Sequence, residues 1–353
     1  MAGSRELTID AMSTKVVLNK RPRRTWFAQH VLTQALATAK ISPRKVQNVE
    51  RIRPVIDVKL RKAAYYEVPV DLYKSTTVDD LVPGGSLPSF ALRNGVVAGK
   101  AYPKTLSATY MANASDLDTS LPANGNEGLV DFLANEKLAA IDALVDLVEQ
   151  RLCAATQATA PAKLTIDSLL ATVFTDDTAF LELDPDDHST WIAKVVDMNG
   201  ARIRLSHVKE WMRYMGARGK KIDCLAADET VANYLIAEAE QDGQKVIDMV
   251  QAFGTNPQSG ENNLYLETSI PTIKIEGAPL VPVPAISSSA PGTLLGFELA
   301  NLPLCTVGDF IERGPEDVSL SAGVDQTRGA INISLFVAAL DRSGLFTLTN
   351  GKA

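Results

Sequence analysis

The longest regular pattern of apolar and polar positions in the chain lies at Asp131–Leu152. Leu138, Ile141, Val145, Val148 and Leu152 recur at steps of three and four, the spacing that lines apolar side chains along one stripe of an α-helix. Asp142, Asp146 and Glu149 are expected on the polar side, exposed or paired with another molecule. At a rise of about 1.5 Å per residue this helix would be roughly 33 Å long. Asn124-Gly125-Asn126 precedes it as loop and Thr159-Ala160-Pro161 follows it as a stop.

Alternation takes over on the N-terminal side. Tyr66-Glu67-Val68-Pro69-Val70-Asp71-Leu72 has the period of a strand, and Leu106–Met111 offers a return strand. The segment between them is rich in Gly, Pro and Ser (Pro83-Gly84-Gly85-Ser86, Pro88, Gly95, Gly99, Pro103). The two strands and this segment predict an extended hairpin with too little core to stand alone in water. The C-terminal half mixes both periods. A helix is expected from Ser189-Thr190-Trp191 and a second from Ser206, buried through Val208, Trp211, Met212 and Met215 and ended by Gly216 and Gly219. Lys221–Ala226 reads as a buried strand. Asp228 reads as the N-cap of a helix carrying Val231, Tyr234 and Leu235. Thr272–Val283 reads as a strand whose prolines, Pro279 and Pro282 with Pro284 beyond, push its end to an edge. This order predicts a compact α/β unit of about 120 residues. The tail from Asp317 to Asn350 is mostly β, with signals at Val318–Leu320 and Ile331–Val337 and a turn at Asp341-Arg342-Ser343-Gly344.

Charge changes this picture at one end. Residues 1–62 carry fourteen Lys and Arg against four Asp and Glu, whereas the whole chain of 353 residues has a net charge of −7. The run Lys20-Arg21-Pro22-Arg23-Arg24 lies among few periodic apolar positions, and one short helix is expected at Trp26–Ala39, broken by Ser42-Pro43. This end reads as a basic arm that adds little to the subunit's own core. It either reaches an acidic surface on a neighbouring copy or lies along nucleic acid. A 46% hydrophobic content is that of an ordinary soluble globular protein. No apolar run approaches membrane-spanning length, and the N-terminus has no secretory apolar stretch. Cys153, Cys224 and Cys305 contain no CxxC pair, which favours buried thiols in a reducing compartment.

Candidate chemistry is sparse. His30, His188 and His207 are not spaced with Cys, His or carboxylates as a zinc site requires. Asp184-x-Asp186-Asp187-His188 begins like a calcium loop but lacks the central glycine and the closing glutamate, so it reads as a solvated turn. Gly95-Val96-Val97-Ala98-Gly99-Lys100 lacks the Ser/Thr of a phosphate loop. No G-x-S-x-G elbow or G-x-G-x-x-G turn occurs. Trp191, Trp211, Met212 and Met215 are spaced as helix core. These residues support no protease, kinase or dehydrogenase, and no catalytic, metal or cofactor residues are nominated.

The order of parts is itself a signature. A basic arm, a long Gly-rich hairpin, one long amphipathic helix, a compact α/β unit and a closing β segment resemble the major capsid proteins of tailed bacteriophages, the Hong Kong 97-like fold. Local texture agrees. Ser189-Thr190-Trp191 resembles the tryptophan near the start of that family's A-domain. The run from Leu205 through Met215-Gly216-Ala217 to Ile222-Asp223-Cys224-Leu225-Ala226 and Tyr234 is similar to its helix, glycine turn, Asp-containing strand and helix with Tyr. The resemblance implies an α+β fold with an N-arm at 1–61 and an E-loop at 62–112. It implies a P-domain at 113–184 and 306–353, with its spine helix at 131–152 packing through Leu138, Ile141, Val145, Val148 and Leu152. The A-domain would be 185–305. It further implies a non-enzymatic structural protein without cofactors, self-assembling into hexamers and pentamers of an icosahedral head around double-stranded DNA. Lys20, Arg21, Arg23 and Arg24 would face a neighbour or the DNA. Separate scaffolding, portal and decoration proteins would be partners, with no membrane, and assembly would take place in the host bacterial cytoplasm. Some relatives cross-link Lys to Asn; Lys74, Lys100 and Lys104 lie in or near the E-loop segment, but no motif here assigns them that role. An encapsulin-like compartment and a DNA-associated oligomeric scaffold that forms no shell are the alternatives. No internal pocket for cargo tails is marked in the sequence.

Overall fold

The computed structural model describes residues 30–38, 53–56, 64–71, 96–113, 127–157, 165–253, 269–306, 310–317 and 326–352. Lys20, Arg21, Arg23 and Arg24 lie outside these residues, as do Lys74 and the expected strand Val318–Leu320.

Chain order begins with helix α1 (Val31–Thr38) and strand β1 (Arg53–Ile56), followed by β2 (Ala64–Asp71), β3 (Val96–Ala101) and β4 (Lys104–Asn113). Helix α2 then runs over Glu127–Leu152, a turn longer at its start than the apolar pattern marks. A single π-helical turn at Leu169–Val173 leads to β5 (Lys194–Asp197), α3 (Leu205–Ala217), β6 (Cys224–Ala227) and α4 (Glu229–Gln241). Short elements follow: β7 (Ile247–Asp248), α5 (Met249–Phe253), β8 (Pro271–Thr272), β9 (Lys274–Ile275), β10 (Ala278–Pro282) and α6 (Pro284–Ser289). The chain closes with β11 (Leu294–Phe297), β12 (Leu304–Thr306), β13 (Ile311–Asp317), β14 (Gln326–Val337) and β15 (Phe346–Thr349).

Two larger sheets organise the body. In one, the twelve-residue β14 pairs antiparallel with β4 over ten positions on one side, and with β12 and then β13 on the other. Leu106 and Tyr110 of β4, with Ile331, Ile333 and Leu335 of β14, point to the α2 side and are buried. The second sheet has the order β5-β15-β11-β6-β10-β9. Its side chains alternate between two cores, as the period of two along a strand demands. Leu225, Ala227, Leu294, Phe346 and Leu348 pack under α3 and α4. Cys224, Ala226, Leu295 and Phe297 face the main core shared with α2. Asp228 caps α4, its carboxylate accepting from Thr230 N–H at 3.2 Å. Trp211, Met212 and Met215 belong to the α3 core, where Trp211 stacks on Phe346.

The pairing departs from the sequence expectations in several places. The partner of β2 is β3, through the register Tyr66↔Ala101 to Asp71↔Val96; Leu106–Met111 instead pairs with β14. Pro103 separates β3 from β4, so two neighbouring strands enter different sheets. No helix starts at Ser189. Residues 189–193 form a turn that seats Trp191 against Phe180, with ring centroids 6.0 Å apart, and β5 follows. Thr272–Val283 is not one strand, because Glu276 and Gly277, both at positive φ, turn it into the β9–β10 hairpin; its end Leu280–Pro282 pairs with β6 and has no strand paired on the other side among the described residues. The closing strand β15 joins the second sheet, between β5 and β11, although the whole of 306–353 was expected beside the spine helix. The segment 1–61 also adds to the core: Val31, Leu32, Ala35 and Leu36 of α1 are all buried.

Candidate assembly surfaces

The stripe on α2 fastens the long helix to the body. Ile141, Val145, Val148 and Leu152 are buried, Leu138 is partly buried against the same core, and Ala140 and Leu144 fill the spaces between them. Asp142 and Asp146 are exposed. Glu149 departs from its expected place on the polar face. It is 4% exposed, accepts from Thr33 Oγ1 at 3.3 Å, and its Oε2 lies 2.5 Å from His30 Nδ1. A second buried ion pair ties α2 to the first sheet. Lys137 Nζ lies 2.9 Å from Glu312 Oε1 and 5.3 Å from the centroid of Tyr110, whose hydroxyl donates to the same carboxylate. Sequence reasoning passed over Lys137 because a single Lys on a long helix carries no pattern.

The β2–β3 hairpin is fastened at its root by a two-residue turn. Leu181 (φ 54°) and Glu182 (φ 60°) both occupy the left-handed region between Phe180 and Leu183, which close the turn by reciprocal backbone hydrogen bonds of 3.2 and 2.9 Å. Neither residue is glycine, so this conformation costs about 1 kcal/mol or more at each position. Contacts to β3 and the residue after it hold it in place. Lys100 N–H donates to the Leu181 carbonyl at 2.9 Å, Lys100 Nζ pairs with Glu182 Oε2 at 2.9 Å, and the Tyr102 hydroxyl donates to Glu182 Oε1 at 2.7 Å. A side chain on Gly99 would place its Cβ 2.9 Å from Leu181 Cβ, so only glycine lets the two backbones approach this closely. Val68 and Val70 are buried within the chain itself, and Tyr66 stacks on Phe336 at 4.9 Å. The described part of the hairpin therefore lies on its own body.

Two surfaces are left open. Among the described residues no strand lies beyond β3 or on the outer side of β4. On the face of the first sheet turned away from α2, Met111 is 51% and Ile311 57% exposed, beside the exposed Arg313 and Arg328. The ten-residue edge of β4 is a ready template for another chain, and that of β3 is free only beyond Lys100, whose N–H is taken by the Leu181 carbonyl.

Arg342 closes the interior. It is fully buried and caps the π-helical turn, whose last carbonyls have no partner within the turn. Its Nε donates to Val173 O at 2.9 Å, Nη1 to Thr178 O at 2.8 Å, and Nη2 to Thr172 O and Thr175 O at 2.7 and 2.6 Å. Its guanidinium also lies 5.7 Å from the Trp191 ring centroid. Burial pulls its pKa down to about 10, opposed by the charges of Asp177 and Asp176, so it stays charged at neutral pH. The thiols of Cys153 and Cys224 are pushed well up by burial, with smaller contributions from Glu149 and Asp223 respectively, and that of Cys305 is pushed up to about 12 by burial. Such thiols are poor nucleophiles.

The remaining candidates from the sequence are local structure. Asp184 accepts from Asp186 N–H at 3.0 Å and its carbonyl from His188 N–H at 3.0 Å, so the acidic run folds into its own turn. Among the described residues no group of three or more His, Cys, Asp and Glu is placed to hold a metal ion. No helix among them is long and apolar enough to cross a membrane.

No family model matches the chain, and no curated protein does. Solved structures match over most of its length. A chain of the cyanophage A-1(L) capsid asymmetric unit is 12% identical over 82% of this chain and 88% of its own, and superposes with a TM-score of 0.55. An encapsulin from Synechococcus elongatus PCC 7942, solved as the holo-SrpI complex, is 14% identical over 88% of this chain and 89% of its own, with a TM-score of 0.48. A structure of Mycobacterium phage Bobi is 11% identical over 90% and 93%, with a TM-score of 0.47. The chain has the α+β architecture of the Hong Kong 97-like capsid fold.

Proposed function

We propose that this chain is a major capsid protein, a structural subunit that assembles into the icosahedral head of a tailed phage and catalyses no reaction. The observation that carries this reading is the match of 82% of the chain to a chain of a phage capsid asymmetric unit. In this reading the subunits form hexamers and pentamers around double-stranded DNA. The basic residues Lys20, Arg21, Arg23 and Arg24 face a neighbouring copy or the packaged genome, where cations are attracted by the dense phosphate charge. The β2–β3 hairpin and the segment that joins its strands, within 64–101, serve as the E-loop, α2 as the spine helix, and the sheet around β6 as the body of the A-domain. The open edges of β3 and β4 and the exposed Met111 and Ile311 are the surfaces the next subunits cover. Scaffolding, portal and decoration proteins complete the particle, which assembles in the host bacterium.

Negative-stain electron microscopy of the purified protein tests this. Closed shells or ring-shaped capsomers support it, and dispersed globules at every concentration, with or without scaffolding protein, overturn it. Shells that retain a protein other than scaffolding and never take up DNA would replace the phage head with a compartment.

A further inference from the structure

We propose that His30 is a proton-dependent pin that fastens α1, and with it the N-terminal end of the chain, to the long helix α2. Asp146 and Glu149 stand three residues apart on α2, and so present two carboxylates to one spot on the helix surface. The imidazole of His30 sits between them, with Nε2 at 2.7 Å from Asp146 Oδ1 and Nδ1 at 2.5 Å from Glu149 Oε2. Ionised carboxylates only accept hydrogen bonds, so both contacts are made only when both ring nitrogens carry a proton. Loss of one proton turns one donor into a lone pair facing a carboxylate.

Among the described residues, nothing nearby replaces the missing charge. His30 opens onto a cleft of about 540 Å³, and the charged groups lining it are Asp146 and Glu149 from α2 and Glu229 from α4. The β10 and α6 residues that line the cleft are Pro282, Pro284, Ala285 and Ser288, and α1 adds Val31; none is charged. Cys153, beside Glu149, is held neutral by its burial. Burial by itself pulls the pKa of His30 down, but the hydrogen bond and charge of Glu149, then those of Asp146, outweigh it and leave it above the ordinary 6.5. A group whose pKa is raised on docking contributes fully below its undocked value. It loses that contribution as the pH climbs through the docked value. The pin therefore holds in mild acid and releases in base. The released end is the one that carries the Lys20–Arg24 run.

Hydrogen exchange of the full chain from pH 5 to 10, expressed as protection factors for the α1 amides, tests the pin. Protection of Gln34–Leu36 is expected to be level up to about pH 6.5. It then falls by up to about tenfold per pH unit until the raised value is passed, while α4 stays level. His30→Gln, which keeps hydrogen-bonding capacity without a titrating proton, is expected to flatten the profile. Glu149→Gln is expected to move its midpoint to lower pH. A wild-type profile in which α1 and α4 change together, or a fall that persists unchanged in His30→Gln, overturns the proposal. The wild-type profile decides the matter even if both variants fold poorly.

Discussion

Replacing Arg342 with Met removes the guanidinium but keeps much of its length, so the cavity term stays small. The backbone carbonyls of Val173, Thr175 and Thr178 then lose the donor that reaches them, while that of Thr172 keeps the Thr175 hydroxyl at 3.1 Å. A buried acceptor left without a partner costs about 1–3 kcal/mol. Carbonyls keep a second lone pair and the turn can relax, so the low end applies to each of the three, giving a loss of about 3 kcal/mol. Removal of the desolvated charge offsets a part of this, so about 2 kcal/mol is expected at pH 7. Arg342→Lys is expected to recover little, because one ammonium cannot span carbonyls that the planar fork meets from three nitrogens. Chemical denaturation of unassembled subunits, followed by tryptophan fluorescence, measures the change. Trp191 lies against both Phe180 and Arg342 and reports the site directly. A loss below about 1 kcal/mol in Arg342→Met, or full recovery in Arg342→Lys, would refute the capping argument.

Three further tests probe the other fastenings. Val145→Asp puts a carboxylate on the buried stripe of α2 and is expected to cost several kcal/mol, seen as loss of soluble protein, whereas Ala139→Ser on the exposed side stays within about 0.5 kcal/mol. Lys137→Met leaves the Glu312 carboxylate buried beside Tyr110 without its cation and should cost about 3 kcal/mol. Adding Glu312→Gln should restore most of that, and a double-mutant cycle with no coupling would remove the pair from the account. Gly99→Val should destabilise by about 2 kcal/mol through collision with Leu181. It should also raise hydrogen exchange in β2 and β3 while leaving β6 and β11 unchanged; unchanged exchange in the hairpin would mean that its root is not fastened there.

How far each feature was legible in the sequence depended on how local its cause is. The α2 stripe is a matter of periodicity within one segment, so Ile141, Val145, Val148 and Leu152 could be placed in the core from spacing alone. The Asp228 cap and the helix end near Gly219, which adopts φ 70°, are likewise local. Strand partners are not. Tyr66–Asp71 has two apolar candidates for a return strand, and nothing in either segment says that Val96–Ala101 takes the place while Lys104–Asn113 crosses to β14. The polar interior was the least legible of all. Glu149 looks like any surface acid until His30 and Thr33 arrive from a helix more than a hundred residues earlier. Arg342 looks like a turn residue until the carbonyls of 172–178 converge on it. Periodicity records which side of a segment turns inward. Which distant segment meets it there, and which buried charge that meeting neutralises, is decided only when the whole chain closes around a common core.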